Sequence, residues 1–390
     1  MKTIVPLFLI LVEAAFLSGC KTADIPVAAT TLKDAYRDDF RVGVAINRAQ
    51  IFGDDQRGVS IIKSQFDSIS PENVLKWESV HPEPGQYDFT AADRYVEFGE
   101  SNHMYIIGHT LVWHSQTPAW VFQDDQGKPA TRDVLLARLR DHILTVVGRY
   151  KGRIQGWDVV NEALNENGTL RNSPWRKIIG DDYIEKAFQF AHEADPRAKL
   201  HYNDFSLENE PKRKGAIALI KRLKAEGIPV DCVGLQDHTK LDWPTPHQLD
   251  RTISDFAKLG VKVMITELDV DVIPKTQHNR TAEVSQNSQK VAGADAYAAG
   301  LPEAKQMELA RRYAELFRVY VRHRADITRV TLWGVTDADS WLNKAGRVNY
   351  PLLFDRAGQP KPAFQAVLGQ ATRPPGNRPC PDPSVSAMMP

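Results

Sequence analysis

Gly156-Trp157-Asp158-Val159-Val160-Asn161-Glu162 (GWDVVNE) reads as a short apolar strand that ends abruptly in an amide and a carboxylate. Strands of parallel α/β proteins are buried on both faces and run apolar, so a polar pair at the carboxyl end has left the core. That end is where α/β barrels and doubly wound sheets place their chemistry. A plainer reading is also open, in which Asn161 caps a helix and Glu162 occupies its first turn. What weighs against it is a second strand with the same ending, Val261 to Asp269 (VKVMITELD). Period-2 alternation puts its Glu267 and Asp269 on the side that Thr266 and Leu268 do not occupy.

Outward from these two stretches, strand and helix patterns alternate along the chain. Strands are expected at Val42 to Ile46, Phe66 to Ser70, Tyr105 to Val112, Gln155 to Val160, Lys199 to Tyr202, Cys232 to Leu235, Lys262 to Thr266 and Arg329 to Gly334. Between them, periodic or charged segments read as helices, among them Arg132 to Arg149, Tyr183 to Glu193, Pro211 to Glu226, Leu249 to Leu259 and Glu303 to Arg324. Eight alternations over about 330 residues predict a single closed (β/α)8 TIM barrel in preference to an open sheet. There is no internal repeat and no second domain.

Bulk properties are compatible with this and narrow the chemistry. Of 390 residues, 42% are hydrophobic and 25% charged, so there is apolar mass for a large core. Lys plus Arg equals Asp plus Glu at 49 each, which gives no reason to expect nucleic acid, an anionic surface or a polyanion as partner. Three cysteines, Cys20, Cys232 and Cys380, are too scattered for a disulfide framework or a zinc site. Cys232 reads as a core thiol, and Cys380 lies in a Pro-rich tail where it is either free or paired.

Cys20 closes a different kind of segment. Lys2 gives a basic start, Ile4 to Val12 an apolar run, and Leu17-Ser18-Gly19-Cys20 small residues before a cleavage point, the layout of an export signal. The run falls short of the roughly 20 residues that cross a bilayer. Leu-Ser-Gly-Cys resembles the bacterial lipobox, which implies lipidation of Cys20 and anchoring to a bacterial membrane, with Thr22 similar to outer-membrane sorting. An ordinary secretory signal is the alternative. The expected organisation is a signal at 1–19, the lipid anchor at Cys20, a linker at 21–31, the barrel at 32–370 and a Pro-rich tail at 371–390. Pro274 to Leu301 is a long polar segment after the seventh strand, expected to overhang the carboxyl face.

The carboxyl ends of the strands form an unusually polar rim. In chain order they supply Asn47; Glu72, Asn73 and Lys76-Trp77; His109, Trp113, His114 and Gln116; Asn161 and Glu162; Tyr202, Asn203 and Asp204; Gln236 and His238; Glu267 and Asp269; then Trp333, Asp337 and Trp341. Planar polar groups for hydroxyls and flat indoles for ring faces are what a sugar requires. No metal is expected, since H-E-x-x-H and similar spacings are missing, and no nucleotide cofactor, since Gly-rich phosphate turns are missing. G-x-S-x-G is missing too, which removes the usual esterase elbow. Two carboxylates remain, the minimum equipment for glycoside hydrolysis.

The chain resembles glycoside hydrolase family 10 endo-β-1,4-xylanases. The resemblance is carried by PENVLKWESVHPEPGQYDF, GHTLVWHSQTPAW, WDVVNEA, YNDF, GLQDH, ITELDV and TLWGVTDADSW, in family order over about residues 32 to 370. It implies the (β/α)8 barrel, hydrolysis of internal β-1,4-xylosidic bonds of xylan with retained configuration, and no cofactor. Position by position it implies Glu162 as acid/base and Glu267 as nucleophile, with His238 and Asp269 in a hydrogen-bonded chain behind the nucleophile. It further implies sugar contacts at Glu72, Asn73, Lys76, His109, Trp113, Gln116, Asn161, Tyr202, Gln236, Trp333 and Trp341. Trp120, Trp157 and Trp175 are left as core or unassigned.

Retention requires two carboxyls roughly 5 to 5.5 Å apart, and two charges that close cannot both ionise cheaply. Xylose lacks the exocyclic hydroxymethyl of glucose, so Lys76 and the two rim tryptophans are expected to close the space that group would need. Phe205-Ser206 and the long Pro274 to Leu301 segment depart from the family pattern and bear on the aglycone end. A retaining β-1,4-glucanase and a non-catalytic xylan-binding barrel are the alternatives. A monomer, exported, is the expected state.

Overall fold

The computed structural model describes residues 31–273, 296–343 and 347–371. Expectations about the export signal, Cys20, the linker to residue 30, most of Pro274 to Leu301, and the tail with Cys380 lie outside the described residues.

Among the described residues there are nine parallel strands: β1 (Arg41–Ile46), β2 (Ser68–Pro71), β3 (Tyr105–Val112), β4 (Gly156–Asn161), β5 (Lys199–Asp204), β6 (Cys232–Leu235), β7 (His238–Lys240), β8 (Lys262–Asp271) and β9 (Ile327–Leu332). They run β6-β5-β4-β3-β2-β1-β9-β8, and β6 pairs with β8 to close the ring. Eight strands therefore make the barrel, as expected. The ninth, β7, continues β6 after a two-residue break and pairs with the far end of β8.

Helices cover the outside for local reasons. Arg132–Arg149 begins at Thr131, whose side chain accepts from the Val134 N–H, and buries Leu135, Leu139, Ile143, Val146 and Val147. That spacing is one stripe of a 3.6-residue helix, and each such side chain contributes about 1.5–3 kcal/mol on burial. Pro246–Ala257 starts at a capping box between Thr245 and Gln248, three residues before the apolar pattern alone suggested. Glu303–Arg322 lays Leu309, Tyr313, Leu316, Phe317 and Tyr320 against the barrel.

The interior is more polar than buried parallel strands should be. Asp158 on β4 lies between His109 on β3, with Nδ1 to Oδ2 at 2.9 Å, and His201 on β5, with Nδ1 to Oδ1 at 3.2 Å. All three are buried. Arg329 on β9 donates to Ser70 Oγ on β2 at 2.8 Å, reaching past β1 through the barrel. Small residues make that possible: a Cβ on Gly43 would sit 2.8 Å from Thr331 Oγ1. The apolar rule holds on the helix-facing side of the strands and fails on the inside, where hydrogen bonds replace it. Cys232 is a buried free thiol, as expected. Trp157 and Trp175 are core, the latter donating its indole N–H to the Trp113 carbonyl at 2.9 Å.

Candidate active site

At the end of β4, Asn161 and Asn203 are register partners, and the Glu162 N–H extends the ladder to the Asn203 carbonyl at 2.9 Å. Glu162 itself has φ 57°. A left-handed conformation at a non-glycine residue costs about 1–2 kcal/mol and abolishes strand alternation locally. Asn161 and Glu162 can then face the same way. Gln236 Nε2 donates to both, to Asn161 Oδ1 at 3.2 Å and to Glu162 Oε1 at 3.0 Å. No helix begins here, so the capping reading of Asn161 falls. The indole N–H of Trp113 donates to Glu162 Oε2 at 2.8 Å, and Arg171 holds the Glu162 carbonyl at 3.0 Å.

Glu267 is reached from the opposite side. Its Oε1 accepts from Asn203 Nδ2 at 2.9 Å, and its Oε2 lies 3.0 Å from His238 Nε2. His238 Nδ1 is 3.1 Å from Asp269 Oδ1, and Trp341 donates its indole N–H to Asp269 Oδ2 at 2.7 Å. Glu267, His238 and Asp269 therefore stand in a row, with Trp341 at its end. Simple alternation along β8 is not. Thr266 Oγ1 donates to Asn203 Oδ1 at 2.7 Å while its neighbour Glu267 also reaches Asn203, because the register shifts between Ile265 and Leu268. The bulge lets adjacent side chains serve one amide.

Asn203 thus links the two carboxylates, since its Nδ2 also donates to Asn161 Oδ1 at 2.9 Å. Gly234 leaves room for it: a Cβ there would lie 2.2 Å from Asn203 Oδ1. Burial pushes the Glu267 carboxyl up, but the N–H groups and positive charge of His238, with His109 and Asn203 adding to them, outweigh it and hold it below the usual carboxylate range. Burial pulls His238 down. The Asp269 charge, with Glu267, outweighs it and pushes the imidazole up to about 10. A protonated His238 is thus built in beside an ionised Glu267.

The remaining rim residues gather on the β1–β3 side. Lys76 is buried, with Nζ 3.0 Å from Asn73 Oδ1, 2.8 Å from Gln116 Oε1 and 4.9 Å above the Trp113 ring. Burial lowers its affinity for a proton, while Glu267, Glu72 and Glu162 oppose that effect. Burial likewise raises Glu72, countered by Lys76. Trp333 stands edge-on to His109 at 5.5 Å and to His238 at 6.3 Å, and Trp341 lies 4.9 Å from His238. Among the described residues no cluster of three His, Cys, Asp or Glu side chains is placed to hold a metal ion.

A family model described as glycosyl hydrolase family 10 matches residues 31–370. The chain belongs to glycosyl hydrolase family 10. Among its relatives, endo-1,4-beta-xylanase A of Xylanibacter ruminicola is 44% identical over 352 residues, covering 88% of this chain and 95% of that protein. The beta-1,4-xylanase of Dictyoglomus thermophilum is 42% identical over 343 residues, covering 87% and 90%. A family 10 endoxylanase from a sugarcane-soil metagenome superposes with a TM-score of 0.82 at 44% identity, over 88% of this chain and all of that one.

Against this family 10 frame, one expected sugar contact moves. Tyr202 has no exposed surface, and its hydroxyl donates to Asp204 Oδ2 at 2.5 Å. It braces Asp204, which also pairs with the fully buried Lys212 at 2.9 Å, and does not line the cleft. Alternation on β5 sends Tyr202 away from the mouth that Asn203 faces. Asn203 is equally buried and acts indirectly, through its bonds to Asn161 and Glu267. Asp158, His201 and Arg329 were overlooked. Their signal was present: a charged or imidazole side chain inside a strand otherwise buried on both faces needs a partner.

Proposed function

We propose that this family 10 glycoside hydrolase uses Glu267 as nucleophile and Glu162 as acid/base in retaining hydrolysis of internal β-1,4-xylosidic bonds. The observation that carries the reading is the pair itself: two buried carboxylates, Glu162 just past β4 and Glu267 within β8, tied through the amides of Asn161, Asn203 and Gln236. Each carboxylate has a different environment. Glu267 faces a cationic imidazole and suits the ionised state that attack needs.

In the first step a Glu267 oxygen bonds to the anomeric carbon, the glycosidic C–O bond breaks, and the Glu162 proton goes to the departing oxygen. Glu267 is then an ester and carries no charge. In the second step Glu162 takes a proton from water, the hydroxyl attacks the same carbon from the opposite face, and the Glu267 carboxylate leaves. Two inversions give retention. Asn161, next to Glu162, is placed for the sugar hydroxyl adjacent to the reacting carbon, where hydrogen bonds strengthen as charge develops. His109 directs Nδ1 at Asp158, which leaves its Nε2 for a hydrogen bond with a sugar hydroxyl.

Substrate choice follows from bulk. Lys76, Trp333 and Trp341 crowd the reacting position, which suits a sugar without an exocyclic hydroxymethyl. The xylanase names of the relatives support the same substrate. A comparison of xylan, carboxymethylcellulose and mixed-linkage glucan tests it. Hydrolysis of xylan should exceed that of both glucans by about a hundredfold or more, the scale that a steric misfit imposes. Comparable rates on a glucan would overturn the specificity, and no hydrolysis of any would leave a binding barrel.

Export with lipidation of Cys20 is a further proposal, carried by the sequence of residues 2–20 alone. Cys20→Ala should move the protein out of the membrane fraction, and retention there would count against the anchor.

A further inference from the structure

Gln236 and His238 are two residues apart and both face the catalytic pair, Gln236 donating to Glu162 and His238 reaching Glu267. The residue between them, Asp237, lies in the break between β6 and β7 with φ 56°. Its side chain turns the other way, toward Tyr320, into a closed space behind the rim. There it meets Glu208, from the turn before the helix Glu210–Ala225. Each of these acids is only 2% exposed, and the two carboxyl groups act on each other's charge state.

Two carboxylates in contact in a closed site cannot both be charged, and the bond between them needs a proton. Neither has another source for it. Asp237 Oδ2 accepts from the Tyr320 hydroxyl at 2.6 Å, while Asp237 Oδ1 and Glu208 Oε1 receive no N–H or O–H among the described residues. The cations that face the pair are committed elsewhere. Arg213 bonds the Glu208 carbonyl and Thr252, Lys212 pairs with Asp204 and Glu166, and Arg312 bonds the carbonyls of Lys240 and Pro244. His238 points its two nitrogens at Glu267 and Asp269.

We propose that Glu208 and Asp237 share one proton, and that this carboxyl pair is a positioning device which holds the left-handed link between Gln236 and His238. Through that link it sets one partner of each catalytic carboxylate. Burial raises both acids, which favours keeping the shared proton, and that proton is lost as pH rises. Once it is lost, two negative charges repel across the link and Gln236 and His238 lose their alignment. The contribution to activity is therefore full below the titration of the pair and disappears above it.

The proposal rests on the roles given to Gln236 and His238, and its test leaves both in place. The readout is kcat/KM against pH on an activated aryl β-xylobioside, whose departure does not need the Glu162 proton, so the profile reports the first step alone. In Asp237→Asn the side-chain amide donates to Glu208 at every pH and its oxygen still accepts from Tyr320. This variant should keep kcat/KM within about threefold at neutral pH and hold it to higher pH than the parent, and Glu208→Gln should do the same. Asp237→Ala, which removes the bond, should lose about a hundredfold, the cost of misplacing a catalytic partner by roughly 1 Å. An alkaline limb unchanged in Asp237→Asn, or a loss at neutral pH as large as that of Asp237→Ala, overturns the proposal. Either result would leave the roles of Glu162 and Glu267 intact, because the leaving-group dependence of Glu162→Ala and the glycosyl azide formed by Glu267→Ala report on those independently.

Discussion

Glu267→Ala should lower xylan hydrolysis by about 10⁴-fold or more, and added azide should restore turnover with a glycosyl azide of inverted configuration as product. The size of the loss follows from what the residue does: without it no bond forms to the anomeric carbon, and water cannot occupy the same place with the same charge. The space emptied by the carboxylate lies between Asn203 Nδ2 and His238 Nε2, both of which would otherwise face an unpaired gap. A small anion fits that environment, because the Asp269 charge, the larger of the two carboxylate effects that raise His238, remains in the variant. Attack by azide from the nucleophile's side displaces the leaving group once, hence inversion. Chiral analysis of the azide product is the measurement. A product of retained configuration would take the nucleophile role from Glu267.

Glu162→Ala should separate substrates by leaving group. Xylan and xylo-oligosaccharides depart as alkoxides and need a proton, so kcat/KM on them should fall by about 10³-fold, within the range for general acid catalysis. Activated aryl β-xylosides depart without help, and their kcat/KM should fall less than about tenfold. The geometry adds a second expectation for the same variant. Trp113 Nε1 and Gln236 Nε2 both donate to Glu162, so deletion leaves two N–H groups unpaired in a nearly closed site and invites an added carboxylate or azide. Here the azide product should keep the substrate's configuration, since azide attacks the ester on Glu267. Equal losses on natural and activated substrates would remove Glu162 from the acid role.

Much of the fold was legible because its causes are local. Apolar runs of strand length, helical stripes and their caps each occupy a few consecutive residues, and the extents of β3, β6 and the helix Arg132–Arg149 agree with the reading of the sequence to the residue. Strand ends were less legible. β8 continues to Asp271 through Glu267 and Asp269, polar residues that ended the expected strand, because bonds to His238 and Trp341 satisfy them there. β7 was missed altogether: three residues after a left-handed break form a strand only because β8 offers a free edge.

Within the site, the residue types at strand ends point to Glu162, Glu267, Asn161, Gln236 and His238, which the fold brings together, while Tyr202 lies outside that group and Asn203 inside it. They are adjacent in sequence, and which one faces the mouth depends on the register of β5 between its neighbours. The Glu208–Asp237 contact left no trace in either motif. Its members come from different turns, after β5 and β6, and the parallel pairing of those strands brings them together.

The sequence by itself determined that strands and helices alternate into a barrel and that chemistry-bearing residues gather at one end of it. Those properties follow from periodicity and from the direction of parallel strands, which any stretch of chain carries within itself. Tertiary structure decided which polar groups meet. Trp113 and Glu162 are 49 residues apart, Glu162 and Gln236 are 74 apart, and Asn203 and Glu267 are 64 apart. Only ring closure, the bulge in β8 and two left-handed residues, Glu162 and Asp237, turn those side chains toward one another. Charge state is set at the same level, because a proton's affinity depends on neighbours across the barrel and on exclusion of water, neither of which is local to the chain.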